Sequence, residues 1–255
     1  MQHEICERIA HTLATAPVHD HLGYEALAHL KLPGPPYLAV LAMLHLALKP
    51  ELYVEIGTRT GDSLRLADRK TRCIAIDPNP QVGPEKIWEA KRVTMSVCTS
   101  DAFFEREENR EQACGFDLAF IDGDHSFDQA RRDFENLEAL SKPSSVIAIH
   151  DLIPMDERTS QPKSDGVAFW TGDVWRLMAA IVAHRPDLIA FTVACPPTGL
   201  GIIGNLNVCG PQLSQAGIGA AQMLPFPLKW EQQRKLLNIV PNDGLAIATA
   251  VRGGK

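Results

Sequence analysis

Between residues 52 and 150, short apolar, β-rich runs alternate with stretches of helical period. Runs at 52–57, 73–77, 93–99, 116–122 and 146–150 have strand length and composition, and helices are predicted at 61–69 and 127–140. This alternation implies a wound parallel sheet with helices on both faces. The second helix has clear boundaries: Ser126 and Gln129 read as a capping box, Ala130, Phe134, Leu137 and Leu140 share a face, and Pro143 follows the end.

Upstream, a buried helix is predicted at 37–48, after the stop formed by Pro33, Gly34, Pro35 and Pro36. Downstream, the polar stretch 152–164 is long enough to act as a lid. A helix follows at 173–183, with Trp175 packed inside it, and 188–194 with 201–203 read as two strands of a closing hairpin. One more helix is predicted near 229–237. The expected organisation is a helical segment 1–50, an α/β domain 51–206 with a lid insertion near 152–170, and a C-terminal extension 207–255 packed on the same domain.

Composition narrows the partners. With 25 Lys+Arg against 31 Asp+Glu, the net charge of −6 gives no general attraction to nucleic acid or anionic lipid. The most apolar stretch is about a dozen residues, short of the roughly 20 a membrane span needs. The acidic and basic residues Glu4, Glu7 and Arg8 interrupt any signal-like apolar region. Six scattered cysteines without C-x-x-C spacing predict reduced thiols and a cytoplasmic protein. His19-Asp20-His21 reads as a solvated turn, and Arg131-Arg132 and Lys91-Arg92 as solvated faces.

The first strand runs into Glu55-Ile56-Gly57-Thr58-Arg59-Thr60-Gly61, a G-x-x-x-G turn at the place where an open α/β sheet binds its ligand. The dinucleotide fingerprint G-x-G-x-x-G is absent. Twenty residues after Gly57, Asp77 ends the second strand, placed for the two hydroxyls of a ribose. Ser100-Asp101, after the third, are placed for an adenine ring. Three consecutive strand ends with this chemistry suit an adenosine-containing cofactor.

On these residues the chain, from about 52 to 203, resembles the class I S-adenosylmethionine-dependent methyltransferases. The resemblance implies a Rossmann-like seven-stranded, mostly parallel sheet with an antiparallel last strand. It also implies S-adenosylmethionine as cofactor, with the turn at Glu55, Gly57, Thr58 and Gly61 against its methionine part, Asp77 on its ribose and Asp101 near its adenine.

The fourth strand ends in Asp122-Gly123-Asp124-His125 and the fifth in His150-Asp151. Adjacent parallel strands bring these carboxylates and imidazoles to one rim, where the carboxylates repel unless a cation lies between them. The pairing resembles the metal-dependent small-molecule O-methyltransferases, including a bacterial family with a D-G-D-H-S motif. That resemblance implies a divalent metal at Asp122 and Asp151, with His150 where relatives carry an acidic residue. Imidazole suits Zn²⁺, Mn²⁺ or Fe better than Mg²⁺.

The expected enzyme is thus an O-methyltransferase acting on a sugar-, diol- or catechol-like small molecule, with no nucleic-acid or membrane partner and the oligomeric state open. His125, whose unperturbed pKa lies near neutrality, is expected to be the general base beside Asp122. The 152–164 loop and Phe169-Trp170 are expected to close over the acceptor. A metal-independent methyltransferase, a nucleotide-cofactor oxidoreductase or hydroxylase, and a non-catalytic adenosine-ligand sensor are the alternatives on the same sheet.

Overall fold

The computed structural model describes residues 2–15, 21–81, 92–166, 169–244 and 247. Its centre is one eight-stranded sheet: β1 (Leu52–Ile56), β2 (Arg72–Ile76), β3 (Arg92–Ser96), β4 (Phe116–Ile121), β5 (Ser141–His150), β6 (Ile189–Val193), β7 (Leu200–Gly204) and β8 (Ile239–Val240). The order is β3-β2-β1-β4-β5-β7-β6-β8. The first five strands pair in parallel, and β7 runs antiparallel to both β5 and β6. This is the mixed α/β, Rossmann-like sheet that the alternating pattern predicts. The two-residue β8 lengthens it beyond the seven strands expected, by pairing in parallel with β6.

Strand alternation divides the core. Val54, Ile56, Ile74, Ile76, Ala119, Ile121, Ile147 and Ile149 point to one face, where they meet Phe134 and Leu137 of α6 (Phe127–Ala139) and Leu177 and Ile181 of α7 (Trp175–His184). Tyr53, Cys73, Ala75, Leu118, Phe120, Val146 and Ala148 point to the other, under Val40, Leu41 and Leu44 of α3 (Tyr37–Leu48). Every residue of β1 is buried, as a central strand covered on both sides requires. Trp175 is buried, as its place in an amphipathic helix predicts. The remaining helices are α1 (Gln2–Ala14), α2 (His21–Lys31), α4 (Ser100–Phe104), α5 (Glu107–Ala113), α8 (Gln215–Gln222) and α9 (Trp230–Leu236). No helix among the described residues is long and apolar enough to cross a membrane. Residues 19, 20 and 91 of the two small charged clusters lie outside the described residues.

Two local expectations are corrected. The helix predicted at 61–69 is a single 3₁₀ turn, Leu64–Leu66. Ala67 turns extended, and the Asp68 carboxylate then takes the Lys70 N–H at 2.9 Å, so a side chain competes with the helix for backbone donors. At α6 only half of the capping box forms. Ser126 Oγ accepts from the Gln129 N–H, but the Gln129 side-chain amide reaches sideways to Ser100 and Asp101 instead of back to the cap.

The stretch after β5 has two parts. Residues 152–156 are buried and 161–166 exposed. The buried part is anchored to α2, with the Tyr24 hydroxyl donating to Asp156 at 2.6 Å.

Candidate active site

The strand order reverses direction between β1 and β4, and the ends of these two strands form the switch point where open α/β sheets take their ligands. Gly57 leaves β1 with φ +85, a conformation that favours glycine, and its missing Cβ would stand 2.0 Å from the Asp122 carbonyl oxygen. The Asp122 N–H returns a bond to the Ile56 carbonyl at 2.8 Å. The glycine turn and the acidic end of β4 are therefore one tightly packed unit.

Asp77, at the end of β2, organises that turn. One of its carboxylate oxygens accepts the Thr58 and Arg59 N–H groups at 2.8 and 2.7 Å, and the other accepts the Asn79 N–H at 2.7 Å. Glu55 supports the turn from beneath. It is fully buried, takes bonds from the Tyr53 and Ser63 hydroxyls at 2.7 and 2.9 Å, and is pushed by burial to a pKa of about 8. Ser100 and Asp101 open α4 rather than ending β3. Asp101 pairs with Arg132 and Gln129 of α6, and the Arg132 bond holds its carboxyl below the usual range.

At the adjacent ends of β4 and β5, Asp122, His125 and Asp151 each offer one ligand atom, all within 4.8 Å of one another. His125 Nε2 lies 3.3 Å from Asp151 and 3.9 Å from Asp122. Its Nδ1 lies 3.2 Å from the Trp170 carbonyl, which can only accept, so Nδ1 carries a proton and a neutral ring turns the Nε2 lone pair toward the carboxylates. The Trp170 ring stacks on the imidazole at a centroid distance of 5.2 Å.

His150, expected among the metal ligands, falls outside that group of three, which takes His125 instead. It sits behind the carboxylates, with Nδ1 3.2 Å from Asp122 and 3.4 Å from Asp151 and Nε2 3.3 Å from the Thr198 hydroxyl. Burial pushes this imidazole down, but Asp151 and Asp122 override it and raise its pKa to about 10. For Asp151, burial pushes upward, and the charged His150 overrides it to hold the carboxyl at about 2. Asp151 also accepts from Thr198 at 2.6 Å and has φ +62, an uncommon conformation for a side-chain-bearing residue.

Two carboxylates and an imidazole suit a divalent cation of the Mn²⁺ or Zn²⁺ kind, and the donor set fits one. These groups line a cleft of about 440 Å³ together with the turn residues Gly57, Thr58, Arg59 and Thr60 and the aromatic side chains of Tyr37, Phe169 and Trp170. Glu55, Asp77, Ser100 and Asp101 stand outside this lining.

Sequence reasoning missed four groups that shape the site. Thr198, in the β6–β7 loop, fixes Asp151; the Tyr37 ring lies against His150 at 3.9 Å between centroids, tilted by 35°. Gly172 packs so closely on His125 that a Cβ there would lie 1.8 Å from its carbonyl oxygen. Asp173 takes the Phe127 N–H at 2.7 Å and so caps α6 just after the site. Only Gly172-Asp173 carried a local signal, as a turn followed by a helix cap.

Residues 54–152 match the family model described as a methyltransferase domain. An uncharacterized protein of Sinorhizobium fredii is 28% identical over 160 residues, 56% of this chain and 16% of that protein. The chain thus spans about a sixth of the length of this curated relative. A solved structure from Klebsiella pneumoniae, described as an O-methyltransferase, superposes with a TM-score of 0.52 at 17% identity, covering 80% of this chain and 89% of that one. A cofactor-bound protein from MTB gives 0.52 at 18% identity, over 78% and 95% of the two chains. An SAH-bound methyltransferase from Podospora anserina gives 0.51 at 16% identity, over 81% and 97%. At these identities the likeness to solved structures is one of fold, while the family match covers the segment that carries the glycine turn, Asp77, Asp122, His125 and Asp151. Residues 54–152 are therefore similar to a methyltransferase domain, and the chain shares the Rossmann-like fold of these solved structures.

Proposed function

We propose that the chain transfers a methyl group from S-adenosylmethionine to a hydroxyl of a small diol-, catechol- or sugar-like acceptor, assisted by a divalent cation. The observation that carries this reading is the convergence of Asp122, His125 and Asp151 beside the Gly57 turn in one cleft. The names of the solved relatives support it: one is described as an O-methyltransferase and another as SAH-bound.

Methyl transfer from sulfonium to oxygen requires donor, carbon and acceptor in line and an oxygen that has lost its proton. Alignment of that kind is worth about 7–11 kcal/mol in ideal intramolecular cases. The turn from Gly57 to Thr60 would hold the methionine end of the donor, with its shape maintained by Asp77 and Glu55. Asp77 would serve the ribose only through the lone pairs that its three backbone bonds leave free. Asp122 and Asp151 would hold the cation, which supplies a Lewis acid that lowers the pKa of a chelated hydroxyl. His125, oriented by the Trp170 carbonyl, takes the hydroxyl proton at Nε2. Tyr37, Phe169 and Trp170 exclude water and offer ring faces to the acceptor.

The grouping of His125 with the two carboxylates favours one second reading, in which its Nε2 is the third ligand to the cation. Transfer of labelled methyl to a catechol and vicinal-diol panel, with Mn²⁺ or with EDTA, tests the proposal. Metal-dependent labelling is expected, and labelling unaffected by EDTA contradicts the role of the cation. His125→Ala separates the two readings: a base mutant keeps Mn²⁺ affinity and loses turnover, whereas a ligand mutant loses both.

A further inference from the structure

Away from the cleft, α1, α9 and the buried segment after β5 enclose a second cavity of about 390 Å³. Lys31, at the end of α2, lines it and is only 7% exposed. Its ammonium donates to the Pro154 carbonyl and to Gln233 Oε1, both at 3.1 Å, and lies 5.5 Å from the centre of the Trp230 ring. Both acceptors are neutral, and among the described residues no carboxylate lies within ion-pair distance of Lys31. Asp156, on the same wall, is engaged by the Tyr24 hydroxyl and the Thr159 N–H. A buried charge is ordinarily paired, and here one of three N–H donors has no protein acceptor among the described residues.

A second polar group on this wall is also unsatisfied. His3 Nδ1 is buried without a hydrogen-bond partner, and its ring stacks on Trp230 at 4.8 Å. The apolar part of the lining comes from Ala10, Ala14, Met155, Phe226 and Leu228, and the polar rim carries the carboxylates Glu7 and Glu157 with the cations Arg158 and Lys229. Burial lowers the Lys31 pKa to about 8, the direction taken by an ammonium that lacks a counter-ion.

We propose that this cavity binds a small organic carboxylate, its anionic head on the Lys31 ammonium beside His3 and its apolar body between α1 and the 155–156 segment. The volume matches a small ligand. The chemistry is that of a monoanion with a short aliphatic or aromatic tail, distinct from the donor and acceptor assigned to the cleft.

Calorimetry on the full chain with phenylacetate and hexanoate, against phenylacetamide and hexanamide, tests this. Both acids are expected to bind at least tenfold more tightly than their neutral amides. Lys31→Met, which keeps the length of the stem, is expected to lose that preference. Should Lys31→Met fail to fold, Ala14→Phe adds a ring to the cavity wall with Lys31 in place, and is expected to weaken both acids at least tenfold. Absence of binding by both acids in the wild type, equal binding of acids and amides, or undiminished binding in the variant that folds overturns the proposal.

Discussion

The Cβ that Gly57 lacks would stand 2.0 Å from the carbonyl oxygen of Asp122, so the turn after β1 and the acidic end of β4 are locked together by close backbone contact. Any side chain at 57 must push the two apart as well as adopt φ +85. Gly57→Ala is therefore expected to destabilise the fold by about 3 kcal/mol or more, since backbone strain and overpacking add. Urea unfolding checks this, and a midpoint equal to the wild type's contradicts it. Affinity for S-adenosylmethionine and for Mn²⁺ is expected to fall in the same variant, because the contact joins both subsites.

Asp77 holds Thr58 and Arg59 by charge-assisted bonds, each worth about 1.5–3 kcal/mol. Asp77→Ala leaves these donors without an acceptor and is expected to weaken S-adenosylmethionine binding at least tenfold by calorimetry. Asp77→Asn, which keeps one carbonyl acceptor, is expected to fall between the two. Equal affinity in all three would show that neither the turn nor the ribose depends on this carboxylate.

Glu55 gives the fold a pH dependence of predictable sign. Burial raises its folded pKa to about 8, from the ordinary 4.5, so the folded state holds this proton more tightly than the unfolded chain. Its contribution is fully present below pH 4.5 and is lost as pH rises through 8. The slope contributed between those limits approaches about 1.4 kcal/mol per pH unit for one proton. Urea unfolding from pH 5 to 9 is expected to show a decline that Glu55→Gln removes, and an identical profile in the variant refutes the assignment.

A cation bound only by the folded state stabilises it by mass action, about 2.7 kcal/mol at a hundredfold excess over Kd. Mn²⁺ is therefore expected to raise the melting temperature of the wild type but not of Asp122→Asn or Asp151→Asn. An equal rise in all three would place the ion elsewhere.

Much of the site was legible because its chemistry sits where apolar strands stop. The C-terminal halves of β4 and β5 are buried runs, and three of the ionisable residues at or just after their ends, Asp122, His125 and Asp151, meet in space since parallel neighbours end side by side. Adjacent positions were harder to tell apart. His150 and Asp151 follow one another in sequence, yet Asp151, with its left-handed backbone, meets His125, while His150 lies between the two carboxylates and Thr198. Thr198 and Tyr37 were not legible, since each reaches the site from a distant segment through tertiary packing. Glu55 and Asp77 were legible as a pair flanking the turn, but which donors they accept depends on how the loop folds back. The missing helix at 61–69 has the same origin, a polar side chain capturing the backbone locally.

The most direct test of the central claim is a crystal of the protein soaked with Mn²⁺ and S-adenosylhomocysteine, read by anomalous scattering. The account predicts a manganese peak coordinated by Asp122 and Asp151, with the nucleoside product seated beside the Gly57 turn. Manganese absent from these carboxylates, with the product bound at the turn, would contradict the metal-assisted reading.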